Sequence, residues 1–212
     1  MKVDFFAHRW VAGKSLDTLL LLHGTGGNEH DLLPLGRALD PNANLLSPRG
    51  KVLENGMPRF FRRLAEGVFD EQDLRNRTGE LAQWITEAAL EYGFDAKART
   101  TAVGYSNGAN IAASLLLSGK ASFDQAILLR AMVPFEPAAG ELPDLRGKRI
   151  LMLSGTQDRI IPPANSKRLA ELLQQAGADV TLRWSETGHG LEQHEIDEAR
   201  EWLVAVPTTT KL

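Results

Sequence analysis

Short, almost wholly apolar runs that alternate with amphipathic stretches predict an α/β fold, with a mostly parallel central sheet flanked by helices. Three observations carry this. First, the runs Thr18 to Leu22, Ala43 to Ser47, Thr100 to Gly104, Ala126 to Leu129 and Arg149 to Leu153 are nearly continuously apolar. Strands covered on both faces read this way. Second, the stretches between and after them carry apolar residues at helical spacing with helix-stopping glycines. Third, Gly104-Tyr105-Ser106-Asn107-Gly108 joins one apolar run to an apolar helix through a sharp turn. Glycine on both sides of Ser106 removes Cβ atoms that would clash in so tight a bend.

In chain order, Val3 to Ala7 is expected as an edge strand. Asp31 is a plausible N-cap for a helix from Leu32, with Pro34 in its first turn. Pro48 to Arg77 is the longest irregular stretch, with a short helix expected around Arg59 to Glu66. Leu81, Trp84, Ile85, Ala88 and Tyr92 share one helical face, and Gly93 stops the helix. Asn107 to Leu117 is apolar nearly all round and is expected to be deeply buried. Pro162-Pro163 opens, and Gly177 closes, a helix carrying Leu169, Leu172, Leu173 and Ala176. Val180, Leu182 and Trp184 alternate with Thr181 and Arg183, the pattern of a half-exposed strand near a sheet edge. Ile196, Ala199, Trp202, Leu203 and Val206 form the last stripe before Pro207. Residues 1–206 are read as one domain and 207–212 as a frayed tail.

The 212 residues suffice for a full hydrophobic core. With no cysteine, the chain has no disulfide framework, thiolate zinc site or cysteine nucleophile. The formal net charge is -3, and no Lys/Arg block suggests a nucleic-acid partner. No segment approaches the roughly 20 apolar residues of a membrane span, and Met1-Lys2-Val3-Asp4 leads into no signal-like stretch. A cytoplasmic location is the expectation, and a homodimer is left open. Gly13-Lys14-Ser15 lacks the upstream glycine of a phosphate loop, because His8 stands there. His189 and His194 lie five apart rather than four and so do not share a helical face, which argues against a metal site. No cofactor and no metal are expected.

A serine hydroxyl needs a base, and the base needs an orienting group. Asp158 follows the run ending near Leu153, and His189 follows the strand ending near Trp184. In a parallel sheet both loops share the rim of the Ser106 turn, where ligands bind. Ser106, Asp158 and His189 are therefore the candidate nucleophile, orienting acid and base. Asp144, Asp179 and His194 are placed less well. His23 is read as a structural loop residue. The loop His23-Gly24-Thr25-Gly26-Gly27 follows the first apolar run, and the backbone N–H groups of Thr25 and Asn107 are the candidate oxyanion hole. Pro48 to Arg77 mixes Arg49, Lys51, Arg59, Arg62 and Arg63 with Phe60, Phe61 and Phe69. Candidate substrate-pocket residues are Phe60, Phe61, Arg49, Arg130 and Met132, with an ion pair as the alternative for Arg130.

These pieces resemble the α/β-hydrolase superfamily. More narrowly, the chain resembles the small bacterial carboxylesterases of the phospholipase/carboxylesterase family, over nearly its whole length. Ser47-Pro48-Arg49-Gly50, Phe60-Phe61-Arg62-Arg63 and Ala131-Met132-Val133-Pro134-Phe135 resemble a subgroup near the dienelactone hydrolases and acyl-protein thioesterases. The resemblance implies an α/β-hydrolase fold with a minimal or absent lid and a metal-independent serine carboxylesterase acting on small-molecule esters. Dienelactone hydrolases carry cysteine where Ser106 stands, which counts against that chemistry. The alternatives are an acyl thioesterase or lysophospholipase, and a non-catalytic ligand sensor.

Overall fold

The computed structural model describes residues 2–138 and 140–205. The chain runs through β1 (His8–Val11), β2 (Thr18–Leu22), α1 (Leu33–Leu39) and β3 (Asn44–Pro48). Four short strands follow: β4 (Val52–Glu54), β5 (Met57–Arg59), β6 (Arg63–Ala65) and β7 (Val68–Phe69). Then come α2 (Glu71–Tyr92), β8 (Thr100–Tyr105), α3 (Asn107–Leu117), β9 (Gln125–Leu129) and β10 (Arg149–Gly155). The last elements are α4 (Pro163–Gln175), β11 (Asp179–Ser185) and α5 (Gln193–Val204).

Seven strands form one sheet in the order β1-β3-β2-β8-β9-β10-β11. Its pairings are parallel, except that β1 runs antiparallel to β3. Side chains alternate between the faces. Leu20, Leu22, Ala102, Leu128 and Met152 pack with Leu81 and Trp84 of α2, Ile111 of α3 and Leu169 of α4. Leu19, Leu21, Val103, Ile127 and Leu151 pack on the other face with Leu39 of α1 and Ala199 of α5. Two covered faces require both sets to be apolar, which is why the strand runs are continuous. Each leucine so buried stabilises the fold by about 1.5–3 kcal/mol. Every residue of α3 is buried, as its all-round apolarity predicts. β11 is the partly exposed edge strand, and Gly93 ends α2 at φ 70°. Val206, Pro207 and the tail lie outside the described residues.

Local expectations fail in three places, each with a physical cause. Val3–Phe5 is a 3₁₀ turn, and the edge strand is β1 instead. The Trp84 indole N–H donates to Val3 O at 2.6 Å and draws that backbone away from the sheet. Asp31 does not cap α1: Leu32 takes the N-cap position, and the Asp31 carboxylate accepts from Asn28 N–H at 3.2 Å. No helix forms at Arg59 to Glu66. That stretch belongs to two antiparallel hairpins, β4–β5 and β6–β7. Asn55 and Gly56 turn the first with φ of 52° and 82°, and Gly67 turns the second at φ 74°. Asn-Gly tolerates two successive positive φ angles, as a tight hairpin turn demands. α2 then starts at Glu71, capped by Asp70, whose Oδ1 accepts from Asp73 N–H at 3.0 Å.

α3 approaches the sheet so closely that a Cβ on Gly108 would overlap the Leu22 carbonyl, and one on Gly104 would lie 2.6 Å from Ala109 Cα. Neither obstacle is a flexible side chain. We expect Gly108→Ala to destabilise the protein by at least about 1–3 kcal/mol through overpacking. A urea unfolding midpoint equal to that of the parent protein would contradict this.

Candidate active site

The turn between β8 and α3 holds Ser106 at φ 51° and ψ −111°. Positive φ is unfavourable for a residue with a side chain. Here it is enforced: Ser106 N–H donates to Leu129 O at 2.9 Å, and the flanking glycines let strand and helix close on each other. The hydroxyl emerges at the carboxyl end of the sheet.

The loops after β10 and β11 bring Asp158 and His189 to that hydroxyl. His189 Nε2 lies 2.9 Å from Ser106 Oγ, and His189 Nδ1 lies 2.8 Å from Asp158 Oδ2. A carboxylate can only accept, so Nδ1 carries the proton and Nε2 is left to accept from the serine hydroxyl. The other carboxylate oxygen of Asp158 accepts from Ile160 N–H at 2.8 Å and Ile161 N–H at 3.1 Å. The acid is thus buried and locked on both oxygens. His194, the rival histidine, is solvated on α5.

Arg130 decides how the His189 loop is held. It sits just after β9 at φ 58°, with a fully buried side chain. Its guanidinium donates to Gly188 O at 3.0 Å and Gly190 O at 2.6 Å, the carbonyls on either side of His189. It also reaches Leu153 O at 3.2 Å, Thr187 Oγ1 at 2.9 Å and the Glu195 carboxylate at 2.8 Å. Burial pushes the Glu195 carboxyl up, but hydrogen bonds from Arg130 and Ser185 outweigh it and leave the group below its ordinary value. Gly155 completes the arrangement, because a Cβ there would collide with the carbonyls of Thr187 and Gly188. Arg130 is therefore not a pocket residue. The ion pair, its other reading, is what forms.

On the opposite side, the loop after β2 is pinned by His23, which is 1% exposed. Gly50 N–H donates to its Nε2 at 2.9 Å, so the other nitrogen carries the proton and donates to Gly24 O at 2.6 Å. Desolvation holds its pKa below the ordinary histidine value. Thr25 lines the same cavity as Ser106 and Asn107. Thr25 Oγ1 accepts from Arg59 Nη1 at 2.6 Å, and Asn107 Oδ1 accepts from Phe60 N–H at 2.7 Å.

A cavity of about 290 Å³ opens over Ser106 and His189. Thr25, Asn107, Met132, Phe69, Arg59 and Arg63 are in its wall. Of the pocket residues expected from sequence, Met132 lines it. Phe60 and Phe61 do not: the tether from Phe60 N–H to Asn107 lays both rings into the core. Arg49 is also elsewhere, clamping Glu29 through two bonds of 2.5 and 2.7 Å. That clamp lowers the Glu29 carboxyl to about 2. Arg59 and Arg63 were legible only as charges in a loop, and Asn110, Tyr105 and Ile160, which also line the cavity, carried no signal. Among the described residues, no cluster of His, Asp or Glu is placed to hold a metal ion, and no helix is long and apolar enough to cross a membrane.

Two outcomes follow from these buried groups. Arg130→Met leaves Glu195 buried without its cation, and we expect a loss of about 3–5 kcal/mol in denaturant unfolding; an unchanged midpoint would contradict the hub. His23 is neutral in the folded state and has a lowered pKa, so the unfolded chain binds more protons below about pH 6.5. Stability should fall as pH falls below that value, and His23→Gln should flatten this part of the profile. Unfolding midpoints measured from pH 7.5 to 5 check it.

Comparison with known proteins agrees with this fold. The profile of the phospholipase/carboxylesterase family matches residues 11–206. MhqD of Bacillus subtilis (strain 168) is 53% identical over 195 residues, 92% of this chain and 96% of that protein. The crystal structure of the Bacillus cereus carboxylesterase superposes with a TM-score of 0.90 at 50% identity, covering 93% of each chain. A structure of YahD with malic acid superposes with a TM-score of 0.89 at 32% identity, covering 94% of this chain and 98% of that one. With this sheet order, these flanking helices and these relatives, the chain belongs to the phospholipase/carboxylesterase family of hydrolases, on the α/β-hydrolase fold.

Proposed function

We propose that this protein is a serine carboxylesterase that hydrolyses small carboxylic esters through an acyl-enzyme. The observation that carries the reading is the relay from Ser106 Oγ through His189 to Asp158, with links of 2.9 and 2.8 Å. Ser106 Oγ attacks the ester carbonyl carbon while its proton passes to His189 Nε2. Asp158 stabilises the imidazolium that forms. The backbone N–H groups of Thr25 and Asn107 receive the developing oxyanion, and the amino end of α3 adds its positive dipole end. His189 returns the proton to the leaving alkoxide, which departs as the alcohol. A water molecule then gives a proton to Nε2 and its oxygen attacks the acyl carbon. Collapse breaks the bond to Ser106 Oγ, which takes back the proton from His189 Nε2, and releases the carboxylic acid.

The cavity supports the choice of substrate size. About 290 Å³ lies at the low end of ligand pockets. Short esters fit it better than the long acyl chains of lysophospholipids or fatty acyl thioesters. The partner is accordingly a small-molecule ester.

In a panel of short esters, thioesters and lactones, we expect turnover of short esters and covalent labelling of Ser106 by a fluorophosphonate. Ser106→Ala should lower kcat on the order of 10⁶-fold. A variant retaining most of the parent turnover removes Ser106 from the reaction, and an inert Ser106 in the parent protein favours a binding role instead.

A further inference from the structure

One wall of the cavity takes no part in the acyl-transfer scheme. Arg59, at the end of β5, is 3% exposed and yet lines the same cavity as Ser106. Its Nε faces Phe61 O at 3.1 Å and Glu54 Oε2 at 3.2 Å, and its Nη1 donates to Thr25 Oγ1 at 2.6 Å. That last contact sets the guanidinium one side chain away from the Thr25 backbone N–H. Among the described residues, Nε and Nη1 find partners and Nη2 is left for a ligand. Arg63, on β6, lines the cavity too and holds the same Glu54 through bonds of 2.9 and 2.8 Å.

Glu54 is thus shared by two arginines, and the trio carries one net positive charge. Glu66 is also in the wall, but it is exposed at the turn of the β6–β7 hairpin and solvent screens it. Asp158 is turned away, with its oxygens taken by His189, Ile160 and Ile161. A mostly desolvated guanidinium with half a counter-ion and an unused donor is a poor neighbour for an apolar acyl chain. It is a good neighbour for a carboxylate, which accepts a charge-assisted hydrogen bond.

The geometry points to a carboxylate subsite: Arg59, backed by Arg63, selects esters that carry a second, ionised carboxyl group close to the scissile bond. The substrate class is the hemiester of a short dicarboxylic acid, or the ester of a short hydroxycarboxylic acid. This rests on the esterase reading above, and it names the substrate that the same site takes. Hydrolysis proceeds as before, with the second carboxylate a spectator that is held and not transformed.

The test compares kcat/KM for para-nitrophenyl hemiglutarate with that for its neutral amide isostere, and likewise O-acetyl-lactate with O-acetyl-lactamide. The first pair carries the carboxylate on the acyl side and the second on the alcohol side. In the parent protein, the anion of at least one pair should be favoured on the order of ten- to a hundredfold. Arg59→Met and Arg63→Gln should bring that ratio towards one, and Glu54→Gln should raise it. The ratio within one variant cancels any damage to the Thr25 loop that slows both esters alike. A parent ratio of one or below in both pairs, or a ratio unmoved by all three substitutions, overturns the proposal. A direct binding arm separates this from failure of the esterase reading. Titration of Ser106→Ala with glutarate and with glutaramide should give tighter binding of the dianion, lost with Arg59→Met added. Equal binding of the two overturns the subsite whether or not any ester is turned over, and absent turnover with intact dianion selectivity overturns only the esterase reading.

Discussion

The closeness of α3 to the sheet is the constraint on which the rest depends. Gly104 and Gly108 let a helix start directly above the end of β8, with backbone against backbone. That contact forces the intervening serine into positive φ and lifts its hydroxyl clear of the sheet. A bulkier pair of residues would tilt the helix away, and the hydroxyl would lose both its position and its line to the loops after β10 and β11. The strain at Ser106 is sustained by the buried packing of α3, every residue of which is enclosed.

Loops around that hydroxyl are held by buried polar side chains more than by their own backbones. Arg130 grips the His189 loop by its carbonyls, His23 bridges the loops after β2 and β3, and Asn107 and Asn110 anchor the backbones at Phe60 and Met132. Each of these groups would be costly to leave unpaired in the core. Mispositioning a rim loop therefore breaks several bonds at once. This ties the site's geometry to the global stability of the fold, so no independent element has to order it.

The two hairpins between β3 and α2 give the cavity its character. They supply Arg59, Arg63 and Phe69 to its wall and keep it small. Their outward faces show Leu53, Met57, Leu64 and Val68 to solvent. The cavity beside Ser106 and His189 is thus charged on the side that these hairpins build.

The sequence by itself determined the layered α/β architecture, the Ser106 turn and the identity of the residues that meet there. Those features leave local traces: strands covered on two faces must be continuously apolar, a tight strand-to-helix turn must have glycine beside it, and Asp158 and His189 each follow a strand in an order that places them on one rim. The Asn55-Gly56 hairpin went unread although Asn-Gly is a strong local turn signal, and a short helix was expected at Arg59 to Glu66 instead. Only the tertiary structure decided which of the candidate arginines and phenylalanines line the cavity. Phe60 turns inward because its backbone is caught by Asn107, Arg49 is taken by Glu29, and Arg130 is spent on the loop that carries His189. Each outcome is set by a partner 20 or more positions away. A side chain's surroundings depend on such distant pairings, which no local periodicity records.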